Sequence, residues 1–80
     1  MGINKAEMTE LDLTGLKCPL PALYARKALE RAAPGAEIMV VSDDPMAAVD
    51  LPHMCTGEGY EVVSSAREAG TLRMVLRRPA

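Results

Sequence analysis

The chain has 80 residues, room for one domain with a single thin core and none for separate substrate and cofactor domains. Hydrophobic residues make up 49% and charged residues 25%, which excludes a disordered chain. A net charge of −2 without clustered Lys or Arg, and only two aromatics (Tyr24 and Tyr60), argue against direct nucleic-acid binding.

No apolar run reaches the ~20 residues of a membrane helix, and Glu7 and Glu10 sit in a start that does not read as a signal peptide. The expectation is a cytoplasmic monomer off the membrane, with its two cysteines as free thiols. Residues 1–80 read as one domain, with 1–7 as a flexible segment ahead of it.

Residues 8–13 predict a first strand: Leu11 and Leu13 alternate with Asp12, while Met8 is out of phase. Gly15 breaks it. Residues 19–33 predict a helix, because Ala25, Ala28, Leu29 and Ala32 form one apolar stripe. Arg26 and Glu30 pair across one turn, whereas Lys27 and Arg31 repel. Pro34-Gly35 stops the helix.

Residues 36–42 read as a strand covered on both faces or central in its sheet. Asp43-Asp44-Pro45 reads as an N-cap followed by proline at the first helical position. The second helix spans roughly 45–57, with Ala48, Leu51, Pro52 and Cys55 on one side. Pro52 predicts a kink or break near 48–52. Gly57 and Gly59 end it.

Residues 60–65 predict a third strand carrying Tyr60, Val62 and Val63, and Ala69-Gly70 a turn. Residues 71–78 predict a fourth strand, with Leu72, Met74 and Leu76 on one face and Arg73, Val75 and Arg77 on the other. The order β-α-β-α-β-β predicts an α/β two-layer sandwich: a mixed four-stranded sheet with both helices on one face. Met39 and Met74 read as core filler, Met46 and Met54 as an adaptable surface if exposed, and Arg77-Arg78 as a solvated strand end.

The chemistry concentrates in Gly15-Leu16-Lys17-Cys18-Pro19-Leu20-Pro21, between the first strand and the first helix. A helix N-terminus carries unpaired N–H groups and about half a positive charge, and this favours a thiolate. Cys18 is therefore expected to be exposed, nucleophilic and of lowered pKa, with Lys17 adding positive charge. Pro19 and Pro21 stiffen the helix entry and remove two donors, leaving the N–H groups of Leu20 and Ala22 to face an anion.

Cys55 falls on the apolar side of the second helix and reads as a packing residue. The rival reading pairs it with Cys18 in a redox disulfide. Cys18, His53 and Cys55 lack the paired spacing of a zinc site, so no metal is expected. A non-catalytic interaction module is a third possibility.

Leu11-Asp12, the Gly-Leu-Lys-Cys-Pro-x-Pro run at 15–21, Pro34-Gly35, Asp43-Asp44-Pro45 and Asp50-Leu51-Pro52 together resemble the TusA/SirA-like family of small sulfur carriers, over about residues 9–78. The resemblance implies the same two-layer fold. It also implies that Cys18 takes a sulfane sulfur as a persulfide and passes it on, with no cofactor. The implied partners are a donor protein (a cysteine desulfurase or rhodanese-like enzyme) and an acceptor thiol protein. Lys17, Pro19 and Pro21 support the cysteine, and Leu20, Arg26, Lys27 and Asp50 are candidate docking residues.

Family relays serve tRNA thiolation, molybdenum-cofactor processes or oxidative sulfur metabolism. This chain has Leu20 where the tRNA-thiolation members carry Glu, and Val49 where a basic residue tends to precede the helix Asp. Both departures remove charge where partners dock. They bear on the pathway and leave the sulfur chemistry intact.

Overall fold

The computed structural model describes residues 9–80; Met8 and the segment 1–7 lie outside the described residues. The elements are β1 (Thr9–Asp12), α1 (Leu20–Arg31), β2 (Glu37–Ser42), α2 (Ala47–Glu58), β3 (Glu61–Glu68) and β4 (Thr71–Arg77). They form one mixed sheet of order β1-β2-β4-β3. β1 runs parallel to β2, with Asp12 opposite Val41, as a crossover through α1 permits. β4 is antiparallel to both β2 and β3. The two helices share one face, as the element order predicts.

Alternation explains the core. Leu72, Met74 and Leu76 are buried, opposite Ser42, Val40 and Ile38 of β2. Leu29 and Ala25 of α1 and Leu51, Ala47 and Cys55 of α2 close over them. Met74 is core as expected, but Met39 is not. It alternates with Ile38 and Val40, so it lies half-buried on the sheet face away from the helices.

Helix α1 starts at Leu20, one residue later than the periodicity placed it, and ends at Arg31. Arg26 pairs with Glu30 at 3.7 Å and reaches Glu58 of α2 at 4.0 Å. At the other end of α1, Arg78 Nη1 donates to the carbonyls of Glu30 (3.0 Å) and Ala32 (2.6 Å). Arg77 pairs with Glu61 and Glu37 on its two neighbouring strands. Neither arginine is the free strand end expected from sequence: each is half-buried and bonded.

Helix α2 runs unbroken through Pro52, so the break expected there does not occur. Proline there removes one hydrogen bond, to the Ala48 carbonyl, while Leu51 and Cys55 on either side are locked in the core. The helix ends at Gly59, in the left-handed conformation, with Tyr60 N–H donating to Cys55 O at 2.9 Å.

β3 is longer than expected and exposed along its whole length, because it is the outer strand beyond the helices. Val62 and Val63 therefore face solvent, and the register breaks between Val62 and Ser64 as a bulge, a common device on edges. Tyr60, just before the strand, packs on the core.

Candidate functional site

Parallel pairing of β1 and β2 brings their C-terminal ends to one edge of the sheet. The loops after each strand, 13–19 and 43–46, therefore meet there, the usual position for sites in parallel sheets. The first loop is pinned along its length. Leu13 is buried and donates its N–H to Val41 O at 2.8 Å. Asp12 Oδ1 accepts from Thr14 N–H (3.1 Å) and Thr14 Oγ1 (2.7 Å). Gly15, at φ +87°, turns the chain so that its N–H donates to Asp43 Oδ1 at 3.0 Å. Cys18 N–H donates to Asp44 Oδ2.

Asp43 and Asp44 do not take the N-cap role expected of them, and Pro45 stands before the helix rather than at its first position. The N-cap of α2 is Met46, without a side-chain cap. Asp44 is buried, takes the Met46 N–H at 3.3 Å on Oδ1, and donates its own N–H to Ser42 Oγ at 3.1 Å. The acidic pair bolts the cysteine loop to the β2–α2 turn.

Cys18 is exposed, as expected. Its acidity runs opposite to expectation. The thiol is pushed above its ordinary value, first by interaction with the Asp50 carboxylate, then by desolvation, then by the charges of Asp50 and Asp44. The Leu20 N–H, expected to face the sulfur, donates instead to Lys17 O at 2.8 Å. Two carboxylates act on the sulfur, while the Leu20 donor of the helix end is already used by Lys17.

Pro19 is the α1 N-cap, joined to Cys18 by a cis peptide, and Pro21 is buried beneath it. Leu20 and Lys27 line a shallow groove with Leu23 and Tyr24. Met46 and Val49 add exposed apolar surface at the start of α2, while Met54 packs against the core. Arg26 lies between Glu30 and Glu58 and is not among the groove residues. Asp50 stands beside the sulfur. Sequence reasoning missed Leu23 and Tyr24, yet a signal was there: both are large apolar residues off the stripe of Ala25 and Leu29.

Cys55 is 1% exposed, and burial pushes its thiol up to about 11. A thiol so raised and so buried is a poor partner for a redox exchange with Cys18. Among the described residues no helix is long and apolar enough to cross a membrane.

A family model described as sulfurtransferase TusA matches residues 9–78. Proteins named sulfur carrier protein TusA from Pseudomonas paraeruginosa and Pseudomonas aeruginosa are each 37% identical over 70 residues, covering 88% of this chain and 89% of the relative. The crystal structure of a SirA-like protein from Desulfitobacterium hafniense superposes with a TM-score of 0.78 at 27% identity, over 91% of this chain and 100% of that one. With the family model matching residues 9–78 and relatives 37% identical over 70 residues, the chain belongs to the TusA family.

Proposed function

We propose that this chain is a sulfur carrier and that Cys18 is the atom-bearing residue of the relay. The observation that carries the reading is the exposed sulfur of Cys18 on a rigid loop, set against a second cysteine sealed in the core. In the loading step the Cys18 sulfur attacks the outer sulfur of a donor persulfide, R–S–SH. The donor S–S bond breaks, its electron pair stays on the donor sulfur, and the Cys18 proton passes to that sulfur. The products are Cys18–S–SH and R–SH. In the unloading step an acceptor thiol attacks the outer sulfur in the same way, giving A–S–SH and restoring Cys18–SH. No outside oxidant or cofactor enters either step.

The donor is a cysteine desulfurase or rhodanese-like protein and the acceptor a protein thiol, meeting in a cytoplasm reducing enough to keep both cysteines free. Docking falls on the face around Cys18: Leu20, Leu23, Tyr24 and Lys27 from α1, and Asp50 with Met46 and Val49 from α2. Lys17, Pro19 and Pro21 hold the presentation of the sulfur.

The test is intact mass after incubation with a cysteine desulfurase and cysteine, or with a rhodanese and thiosulfate. The expected result is a gain of about 32 Da, one sulfur atom, that disappears in Cys18→Ala. No gain from either donor overturns the reading.

A further inference from the structure

Helix α1 carries two stripes. One is buried: Pro21, Ala25 and Leu29 fall at i, i+4, i+8 and face the core. The other is exposed: Leu20, Leu23, Tyr24 and Lys27 fall at i, i+3, i+4, i+7, and Arg31 continues the line one turn on. Leu20, Leu23 and Tyr24 are 39%, 40% and 49% exposed and stand outside the core cluster.

We propose that this second stripe selects the relay partner: it receives an apolar helix of another protein that carries carboxylates opposite Lys27 and Arg31. The proposal rests on the reading of Cys18 as the sulfur-bearing residue and names the chemistry of the surface that approaches it.

The stripe is fixed relative to the sulfur. Leu20 lies two residues after Cys18, and Pro21, buried on the opposite side, holds down the first turn of α1. From Leu20 to Arg31 the line runs about 16 Å along the helix, the length of about three turns of a docked helix. Its two halves differ. Apolar side chains line the groove next to the sulfur, and Lys27 closes it. A row with this spacing is the ridge against which a second helix packs.

Charge names the partner. Among the described residues, Glu30 and Glu58 both go to Arg26, and no carboxylate pairs with Lys17, Lys27 or Arg31. Asp43 and Asp44 are turned onto the loop backbone, and Asp50 is half-buried on α2. The stripe therefore ends in two unpaired cations and holds no acid. A second copy of this chain does not complement it. Packed parallel, α1 against α1 sets Lys27 and Arg31 beside themselves; packed antiparallel, it sets them beside Lys17. The chain's net charge of −2 argues against an anionic membrane or a phosphate backbone as occupant. A protein helix with an apolar face and an acidic edge satisfies both halves of the stripe.

The experiment uses Cys18 as a tether. Two stapled helical peptides share an N-terminal cysteine and one leucine stripe. One carries Glu, the other Lys, at the positions opposite Lys27 and Arg31. A third has the Glu composition with its leucines scrambled. Each is equilibrated with the full chain in rising 2-mercaptoethanol, and the mixed disulfide with Cys18 is read by intact mass. Cys18 displaces 2-mercaptoethanol from the peptide's disulfide, so one S–S bond breaks as another forms, with no net oxidation.

The Glu peptide is expected to survive at least about fivefold more 2-mercaptoethanol than the Lys peptide, a margin that narrows in ~1 M salt. The scrambled peptide should be released earlier than the Glu peptide. In Lys27→Glu/Arg31→Glu the preference should reverse. In Lys27→Gln/Arg31→Gln it should vanish, which keeps the test decisive if charge reversal unfolds α1. Comparing peptides on one protein cancels any change in the thiol itself. Equal retention of the Glu and Lys peptides, full retention of the scrambled one, or a preference that survives neutralisation overturns the proposal. Binding of the parent chain to anionic lipid vesicles, lost on neutralisation, overturns it in favour of a membrane surface. The tether needs only an exposed thiol. A chain that sorts the peptides but loads no sulfur fails the carrier reading alone, and one that loads sulfur but does not sort them fails this proposal alone.

Discussion

The main-chain N–H of Cys18 is donated to Oδ2 of Asp44, a residue 26 positions later in the chain and buried at the end of β2. This one bond ties the cysteine loop to the sheet. It also brings a carboxylate close enough to the thiol to oppose its ionisation. Loop anchoring and thiol restraint are therefore two effects of the same acidic corner.

Asp44 accepts from two main-chain donors, Cys18 and Met46. Replacing it by Ala leaves both without their partner. Asp44→Ala is expected to lower unfolding stability by about 1–3 kcal/mol, and Asp44→Asn, which retains one acceptor oxygen, by less. Urea unfolding of the three proteins measures this. Equal midpoints for parent and Ala variant would remove Asp44 as the anchor.

Cys55 should make stability sensitive to alkali. Its folded thiol is raised to about 11, above its ordinary value of 9.0. Below pH 9 it is protonated in both states, and the stability its burial contributes is fully present. As pH rises from 9 toward 11 the unfolded chain loses this proton first, so that contribution falls away. Relative to Cys55→Ala, the parent's stability advantage should shrink across this window. An advantage that stays constant to pH 11 contradicts the burial argument.

The two-residue turn Ala69-Gly70 joins β3 to β4 with both residues at positive φ, 51° and 83°. That is a type I′ hairpin, in which alanine is strained and asparagine is comfortable. Ala69→Asn should stabilise the protein by about 1 kcal/mol, visible as a higher thermal midpoint. A lower midpoint would show that the alanine conformation carries no cost.

Arg78 gathers the last carbonyls of α1, and no other side chain among those described takes this place. Arg78→Ala should cost about 1–2 kcal/mol, concentrated at the C-terminal turn of α1. Amide hydrogen exchange would locate the loss. Unchanged protection in residues 29–33 speaks against the capping role.

The proposed docking face predicts a separation of reactivities. Leu23 is exposed in the groove beside Leu20 and is not part of the buried core. Leu23→Glu should slow loading by a donor protein about tenfold, equivalent to ~1.4 kcal/mol of lost contact, while small-reagent alkylation of Cys18 keeps its rate. Loading at the parent rate would put the docking face elsewhere.

Much of this architecture is legible in residue order. Strict alternation from Leu72 to Leu76 marks the buried face of β4, since a strand exposes every second side chain. The Ala25–Leu29 spacing marks the buried side of α1 for the matching helical reason. The run from Gly15 to Pro21 puts a cysteine where a strand hands over to a helix, and that alone singles out Cys18 and its exposure. These are local properties, set by the repeat of the backbone and by glycine and proline within a few residues.

What only the tertiary structure decided are matters of distance between remote segments. Which strand is the edge depends on pairing order, so the apolar Val62 and Val63 are solvent-facing. Pro52 reads as a break and is carried through by core packing on both sides of it. Above all, the ionisation of Cys18 turned on Asp44 and Asp50, far along the chain, which the parallel β1–β2 pairing folds back onto the sulfur. The helix end beside Cys18 is a local feature and argues for an anion. The carboxylates arrive through space and oppose ionisation, while the first donor of the helix end is already used.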